Sequence, residues 1–354
     1  MAAKDKSIYE LFTIKSNDGS KTIDLRGAIV AFSYFENVFS PMLTAQIIVA
    51  TTGNVITDED GDKTSIYNGL PLRGGEKVSI KIPANSGNNV DLEFTEEKGN
   101  ELYVGSITNI TIKAEKELFT LNLVSREAIT NETQRVGKKF PVTEPISDSV
   151  KEIIKEYLLS EKEVDVDETQ NPYGFIGNLK KPFTIITWLA AKSVPGNVGG
   201  ESATAGYFFF ETKEGYHFRS IDSLIAQPPY EIEYTYSPSV VDNQDPDADF
   251  KILSYETTYN QNLIQNLERG AYCSYRMYYN PYSMSFTTPE QGLFQVSKSA
   301  EKMENLGKDF EVFLPPVDKE NKSLAEVPSR MITGVLDFGT LERKGSRQNK
   351  KNAD

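Results

Sequence analysis

Side chains that could carry out catalysis are scarce in this sequence, and the first to weigh is its single histidine. His217 lies in a predicted strand between Tyr216 and Phe218, with no identified partners for a metal cluster or a Ser/His/Asp arrangement. Cys273 has no histidine near it, so a small buried hydrophobe fits it better than a nucleophile. Neither residue predicts a catalytic site, and His217 is expected to be a surface strand residue.

Two acidic stretches and one glycine-rich stretch look superficially like ligand-binding loops. The first acidic stretch has its glycine, Gly61, at the wrong position for a calcium loop and lacks a glutamate at the position that such a loop requires. The glycine-rich stretch lacks the Lys-Ser or Lys-Thr pair that follows the glycines of a phosphate-binding loop. With 51 acidic residues, some carboxylate pair suited to glycoside cleavage always exists, yet nothing singles one out. We therefore predict no metal, cofactor or phosphate site. The residues weighed are Asp58, Glu59, Asp60 and Asp62, then Asp242, Asp245, Asp247 and Asp249, and Gly196, Gly199 and Gly200.

A tyrosine cluster offers a further possible binding surface. Stacked aromatic rings bind sugars or single strands, but only Arg269 and Arg276 are interleaved here, which favours a tyrosine-lined protein interface. The cluster consists of Tyr272, Tyr275, Tyr278, Tyr279 and Tyr282. No enzymatic activity emerges from these residue types and spacings.

Composition limits the class of protein. At 354 residues, the length indicates two or three domains, and the 11% aromatic content, mostly Tyr and Phe, favours strands. The net charge of -13 argues against a protein that grips nucleic acid. A single cysteine excludes an internal disulfide framework, and the sequence shows no signal peptide and no membrane-spanning stretch. We expect synthesis in a cytoplasm and no membrane insertion.

The stretch from Ala28 to Ala50 is the segment around which the first half is organised. It predicts two long strands separated by a break at Asn37 to Pro41. In the second strand, every other residue from Leu43 to Val49 is apolar, which is typical of a core strand. The first strand is apolar on both faces, so we expect both faces to be covered, as in a sandwich or closed barrel.

Further strands complete a predicted barrel-like domain over residues 1–126. The change of phase between Ile107 and Ile110 predicts a bulge or sharp bend. The predicted strands cover 8–14, a short segment near Ile23, a hairpin of 77–82 with 90–94, then 103–112 and 119–123, with a long polar loop after Ala50.

Beyond residue 126 the pattern becomes mixed. Amphipathic periodicity predicts helices over 147–160 and 182–193. Alternation predicts strands at 207–212, 216–221 and 230–236, and a short helix is predicted near 297–306. The polar, lysine-rich end lacks an apolar row and is predicted to be disordered.

Several segments together resemble the central baseplate hub proteins of T4-like contractile-tailed bacteriophages, which are related to type VI secretion spike proteins. They are IYELFTI, AFSYFENVFSPMLTAQIIV, GGEKVSIKI, LYVGSITNITI and the passage TNETQRVGKKFPVTEPISDSVKEII. The run from Gly206 to Tyr236 resembles the start of that family's second barrel. The resemblance covers most of the chain and involves no catalytic signature.

The resemblance implies a mainly β fold with an α+β middle region. It also implies tandem tail-tube-like barrels, the second of which is split by an inserted mixed domain, and we expect this second barrel to be incomplete here. It implies a non-enzymatic homotrimeric ring between the tail tube protein and the central spike protein, in contact with other baseplate proteins of the virion, with genomic DNA passing through without specific binding. The implied divisions are 1–126 for the first barrel, 127–205 with 237–338 for the middle domain, 206–236 for the start of the second barrel, and 339–354 for the tail.

One departure from the family concerns the second barrel, since only a polar, basic tail follows Phe338. Three strands near residues 206–236 are too few to close a barrel, so we expect an incomplete sheet there. Either the chain is incomplete at its C-terminus, or the barrel is finished differently. The alternative function is a β-rich carbohydrate-binding or carbohydrate-degrading tail or surface protein, which would use the tyrosine cluster and the acidic loops.

Overall fold

The computed structural model describes most of the first two thirds of the chain and parts of the rest. The described residues are 8–53, 56–57, 63–84, 90–113, 116–196, 206–228, 233–237, 251–258, 262–281, 283–286, 288, 292–295 and 322–335. Strands dominate, and helices are concentrated in the middle of the chain. The predicted mainly β fold with a mixed α+β middle region is confirmed.

An eight-stranded sheet, here termed the first sheet, occupies residues 11–125. Its strand order is β2-β1-β7-β9-β10-β4-β3, with β8 paired to β7. Between β4 and β7 lie a short hairpin of β5 and β6 and one helical turn, α1. The bounds are β1 Leu11–Lys15, β2 Thr22–Asp24, β3 Ile29–Phe35, β4 Thr44–Thr51, β5 Ile56–Thr57, β6 Lys63–Thr64, α1 Ile66–Gly69, β7 Lys77–Ile82, β8 Leu92–Phe94, β9 Leu102–Lys113 and β10 Lys116–Ser125.

The alternating apolar residues of β4 point into the core of this sheet, as predicted. Ala45, Ile47 and Val49 are at most 2% exposed and lie opposite Leu123, Leu121 and Phe119 of β10 in the antiparallel register. Because successive side chains of a strand point to opposite faces, the residues between them lie on the other face of the sheet. This alternation gives the sheet one face that packs in the core and one face that points away from it.

The first sheet is curled but open, which corrects the expectation of a closed or covered barrel. In the described residues, β2 and β3 are the end strands, and each pairs with one neighbour only. Val30 is 64% exposed and Phe35 is 52% exposed. The apolar sequence of β3 indicated coverage of both faces, but an end strand lacks a second neighbour, so part of its apolar surface stays uncovered.

Two bulges bend β9 where the sequence changes phase. The register between β10 and β9 shifts between Leu118 and Thr120, opposite Asn109, and again between Asn122 and Leu123, opposite Gly105. Asn109 has a φ of 55°, a left-handed conformation that asparagine tolerates well. The predicted bulge is confirmed, and each extra residue bends the strand locally.

A second core forms between residues 126 and 225, here termed the α+β unit. Helices α3 and α4 pack against a three-stranded sheet in the order β12-β15-β14. The predicted helices are confirmed, although α3 and α4 end earlier than expected. The bounds are α2 Arg126–Thr133, β11 Lys139–Phe140, α3 Ile146–Glu156, β12 Glu163–Val166, β13 Phe175–Ile176, α4 Pro182–Ala190, β14 Tyr207–Thr212, β15 Gly215–Ser220 and α5 Ile221–Ile225.

The strands predicted to begin a second barrel lie in this α+β unit. β14 and β15 pair with each other, and β15 also pairs in parallel with β12. Phe209, Tyr216 and Phe218 are buried with the helices of the unit. Alternation identified the strands correctly, but it carries no information about which strand is the third partner. The sheet has three strands, and the domain boundaries given above remain predictions.

The remaining described residues include a smaller, Tyr-rich sheet in which β18 pairs with β19, β20 and β21, and a separate parallel pair of β16 and β17. Residues 230–232 of the predicted strand 230–236 lie outside the described residues, and of its remainder only Thr235–Tyr236 forms a strand. The predicted helix near 297–306 and the tail 339–354 also lie outside the described residues. Within the described ranges, no helix combines the length and apolar character needed to span a bilayer. The bounds are β16 Thr235–Tyr236, β17 Lys251–Ile252, α6 Leu263–Arg269, β18 Cys273–Asn280, β19 Ser285–Phe286, β20 Leu293–Gln295 and β21 Arg330–Val335.

The core position of Ile47 predicts a large effect of a charged substitution. Ile47 is fully buried, so Ile47→Asp places a carboxylate in apolar surroundings and should destabilise the protein by about 4 kcal/mol or more. Denaturant unfolding followed by circular dichroism measures this loss. Ile110→Asp is the matched control, because Ile110 is 42% exposed and the same change there should cost less than about 1 kcal/mol. Equal costs at the two positions would contradict the core assignment.

Candidate interaction surface

The face of the first sheet opposite the core, here termed the outer face, carries no charged side chain where β3, β4, β10 and β9 lie side by side, and the first charged pair, Lys113 with Lys116, stands at its end beyond β4. Cross-strand partners share a face, so the register defines its members. Charged residues make up 25% of the whole chain, which makes this absence notable at a surface. The members are Ala31, Ser33 and Phe35 of β3, Thr44, Gln46, Ile48 and Ala50 of β4, Leu118, Thr120, Asn122 and Val124 of β10, and Tyr103, Ser106, Thr108 and Thr111 of β9.

Neutral hydrogen bonds connect the polar side chains of the outer face. The Gln46 side-chain amide donates to Asn122 Oδ1 at 3.0 Å, and Asn122 Nδ2 donates to Ser106 Oγ at 3.0 Å and to Thr108 Oγ1 at 3.3 Å. This ladder crosses three strands. Because amides and hydroxyls satisfy one another here, the face is polar without carrying a formal charge.

The outer edge of β3 is the second notable part of this surface. Beyond its pairing with β4, no described strand pairs with it. Val30 and Phe35 stand exposed there, and Phe39 in the following loop is 76% exposed. Phe39 contacts the ring of Phe208 edge-on, with 5.3 Å between the centroids, which connects the loop to the α+β unit. An unpaired edge with apolar side chains is a template for adding another strand.

A buried ionic cluster connects the first sheet to the α+β unit. The Glu211 carboxylate is 1% exposed and accepts from the Leu43 amide at 2.9 Å and from Ser125 Oγ at 2.7 Å, both in the first sheet. Lys162 Nζ donates to Glu211 at 2.6 Å and to Glu127 at 2.7 Å. The two parts of the chain are thereby fixed relative to each other at the start of β4.

The ammonium of Lys162 is held in its charged form by this cluster. Burial alone would lower the pKa of Lys162, but the carboxylates of Glu211 and Glu127 outweigh that effect and raise the pKa above its ordinary value. The Lys162 ammonium also lies 5.7 Å from the ring centroid of Tyr216. Burial raises the pKa of the Tyr216 hydroxyl well above its ordinary value, so the phenol stays neutral beside the carboxylates.

His217 lies on the accessible side of β15, near the surface position that was expected. Its Nε2 is 2.9 Å from Thr212 Oγ1, its Nδ1 is 3.5 Å from an Asp165 oxygen, and its ring stacks on Phe210. These neighbours hold the ring in place and provide no serine or cysteine nucleophile. The geometry is that of a structural histidine.

The structure distributes Cys273 and the tyrosines over both sides of β18. Cys273 is fully buried, and burial raises the pKa of its thiol, which disfavours the reactive thiolate. Tyr278 is 7% exposed, whereas Tyr275 and Tyr279 are partly exposed on the opposite face. Tyr282 lies outside the described residues. The tyrosines therefore do not form one continuous stacking platform.

The acidic loops fall outside the described residues, as do Gly199 and Gly200. Gly196 is described, and a Cβ there would lie 3.2 Å from the Glu168 carbonyl oxygen, so the backbone makes a close approach to its neighbour. Among the described residues, no three His, Cys, Asp or Glu side chains gather in a way that would hold a metal ion. The prediction of no metal or cofactor site is not tested by this.

The ionic cluster was not identified from sequence, although one signal for it exists. In YFFFET, the inward positions of β14 are Tyr207, Phe209 and Glu211, so a carboxylate follows the alternation of two core aromatics. A charged residue in a core position requires a partner. Its partners come from distant parts of the chain, and alternation does not reveal them.

Comparison with known proteins gives similarity in structure alone. No model of a protein family matches the sequence, and no curated protein matches it. Solved structures similar to the chain include the 43 kDa tail protein of prophage MuSo2 from Shewanella oneidensis, with 9% identity, a TM-score of 0.41, and coverage of 64% of this chain and 58% of that one. A prophage tail protein from Listeria monocytogenes has 8% identity, a TM-score of 0.41, and coverage of 96% and 76%.

A third similar structure is the PdpA–VgrG complex of Francisella, with 11% identity, a TM-score of 0.44, and coverage of 95% of this chain and 41% of that one. Of the Shewanella tail protein, the chain spans a little over half the length, at 58%. The structural neighbours are phage tail proteins and a VgrG complex. At identities of 8 to 11%, the likeness concerns the fold alone.

The ionic cluster predicts that Lys162 is essential for stability. Lys162→Met leaves the buried carboxylates of Glu127 and Glu211 without their cation and should cost about 3–5 kcal/mol. Equilibrium unfolding in urea measures the change. Lys98→Met serves as the control, since it removes an exposed ion pair with Glu93 and should cost about 0–1 kcal/mol. A loss below about 1 kcal/mol for Lys162→Met would show that the cluster is not stabilising.

The raised pKa of Lys162 also predicts a pH dependence. A raised folded pKa means that the contribution of the ammonium is complete below the ordinary value of 10.5 and is lost as the pH rises through the folded pKa. The difference in unfolding free energy between the native protein and Lys162→Met should therefore stay constant from neutral pH to about pH 10 and fall above it. A difference that already falls between about pH 6 and pH 9 would contradict this assignment.

Proposed function

We propose that this protein is a structural, non-enzymatic component of a phage-type contractile tail, in the baseplate hub of the virion. In this role, three copies form a ring that joins the tail tube protein to the central spike protein and contacts other baseplate proteins. Genomic DNA passes through the ring without specific binding. The motif resemblance described for the sequence supports this proposal, and the surfaces of the first sheet give it a physical basis.

The outer face is the observation that carries the proposal. A conduit for DNA must not hold phosphates with cations, and the part of the outer face shared by the four strands offers hydroxyls, amides and apolar groups. Its hydrogen-bonded ladder from Gln46 to Ser106 satisfies the polar groups internally. A net charge of -13 is consistent with a lining from which DNA is released easily.

The open edge of β3 supports assembly into a ring. The edge of the curled sheet at β3 is extended when another chain adds a strand to it, and the exposed Val30 and Phe35 would then be covered. The ionic cluster around Glu211 supports a fixed angle between the first sheet and the α+β unit. A ring requires such a fixed angle, because each subunit must present its two contact surfaces in the same relative direction.

The alternative, a β-rich carbohydrate-binding or carbohydrate-degrading protein, has less support in the described residues. It would use the tyrosines of β18, but the burial of Tyr278 divides them between two faces. Sugar binding favours a row of exposed aromatic faces on one side. A monomer that binds glycans would favour this alternative.

The proposal predicts that the purified protein forms a particle of defined size in solution and that ring formation requires the free edge of β3. Electron microscopy and mass measurement of the purified protein should show a trimeric ring. Val30→Asp with Phe35→Asp should abolish it without unfolding the chain, because both side chains are exposed and like charges at the edge oppose strand addition. Val90→Asp, at another exposed apolar position, tests whether any new surface charge suffices. Strictly monomeric native protein, or rings unaffected by the double change, would contradict the proposal.

A further inference from the structure

A tight turn in the α+β unit displays an apolar side chain in an unusual backbone conformation. The amide of Lys180 donates to the Gly177 carbonyl at 3.0 Å, and the two residues between them, Asn178 and Leu179, have φ values of 49° and 56°. Leucine seldom adopts this conformation, which favours glycine or asparagine. Leu179 is nevertheless 67% exposed, so core packing does not explain its presence.

The surrounding backbone is built to hold this turn. The Leu179 amide donates to the Val136 carbonyl at 3.0 Å, and the Gly177 amide donates to the Lys138 carbonyl at 3.0 Å. A Cβ on Gly177 would lie 2.2 Å from the Val136 carbonyl oxygen, so only glycine fits there. A strained residue that is firmly held and exposed is typical of a functional contact.

Cations surround Leu179 although the chain as a whole is acidic. Ile176, which is 42% exposed, lies opposite Lys139 in the ladder, and Arg135 and Lys180 flank the same segment. In the described part of the chain, Arg135, Lys139 and Lys180 form no ion pair, whereas Lys138 and Lys181 pair with Glu152 and Glu132. Leu179, Ile176, Arg135, Lys139 and Lys180 are here termed the basic patch.

A cavity of opposite character lies elsewhere on the same unit, between β12 and β15. It measures about 520 Å³, and the partly buried Val164 is an apolar residue of its lining. Glu163 and Glu214 on its wall are exposed and form no ion pair in the described ranges, while Asp165 lies 3.4 Å from Arg219. This acidic cavity has ample room for a leucine side chain together with a flanking lysine.

We propose that the basic patch of one copy binds the acidic cavity of a second copy, with Leu179 inserted and Lys139 and Lys180 facing Glu163 and Glu214. The two surfaces differ and lie on one subunit, so the contact is head-to-tail and generates a ring or an open chain of copies. This inference rests on the proposed function for the expectation that the copies close into a ring. A nucleic acid is a poorer occupant, since three free cations and two apolar side chains offer few phosphate contacts.

Sedimentation equilibrium on the full-length chain tests the contact. Leu179→Asp should weaken self-association about tenfold or more, since the apolar insertion is lost and a charge of the wrong sign enters the acidic cavity. Raising the salt concentration should weaken the association of the native protein, because exposed charges are screened. Leu159→Asp is the matched control, as Leu159 is also exposed, at 54%, with a φ of 53°, but lies outside the basic patch.

Charge reversal identifies the two partners of the contact. Lys139→Glu with Lys180→Glu, and separately Glu163→Lys with Glu214→Lys, should each weaken association about tenfold or more. A chain carrying all four changes should associate again, because the signs of both surfaces are exchanged. Circular dichroism verifies that every variant is folded.

The outcomes separate this inference from the proposed function. A trimeric native protein whose association is unchanged by Leu179→Asp overturns the inference and leaves the ring intact. Reversals that weaken association without recovery in the fourfold variant overturn the pairing of these two surfaces. A native protein that is monomeric at all concentrations overturns both proposals. Loss with Leu179→Asp, no loss with Leu159→Asp, and recovery in the fourfold variant support the contact.

Discussion

The cost of burying a charge governs how the two main parts of this protein fit together. Glu211 is tolerated in the interior because donors from separate segments converge on it: the Leu43 amide, Ser125 Oγ and Lys162 Nζ. Two of these donors belong to the first sheet and one to the α+β unit. Separation of the two parts would leave a buried carboxylate unsatisfied, so the junction behaves as a structural requirement rather than an adjustable contact.

The first sheet shows how one alternation produces a core and a chemically selective surface. Solvent-facing strand positions ordinarily carry many charged residues, which keep a protein soluble. The outer face instead has a neutral hydrogen-bonded ladder at Gln46 and Asn122, and the acidic residues of the chain lie elsewhere. This arrangement is unusual for a surface that only meets water.

The sequence predicted those features that depend on local periodicity. Alternation from Leu43 to Val49 identified a core strand, and the change of phase after Ile107 identified a bulge, because both follow from the two-residue repeat of a strand. Which strands pair with each other was not predictable from local periodicity. Gly215–Ser220 pairs with Glu163–Val166, which is distant in sequence, and the ionic cluster depends on the same long-range pairing. The outer face needed the register of four strands before its lack of charge became visible.

The two bulges of β9 have a geometric consequence for any assembly built from this sheet. An extra residue at Gly105 and another at Asn109 give β9 more residues than β10 over the same span, and each bulge bends the strand and increases its local twist. Part of the bend of the first sheet is therefore encoded in the backbone of β9, at these two positions. Side-chain substitutions on the outer face would therefore change its chemistry while leaving this backbone bend in place.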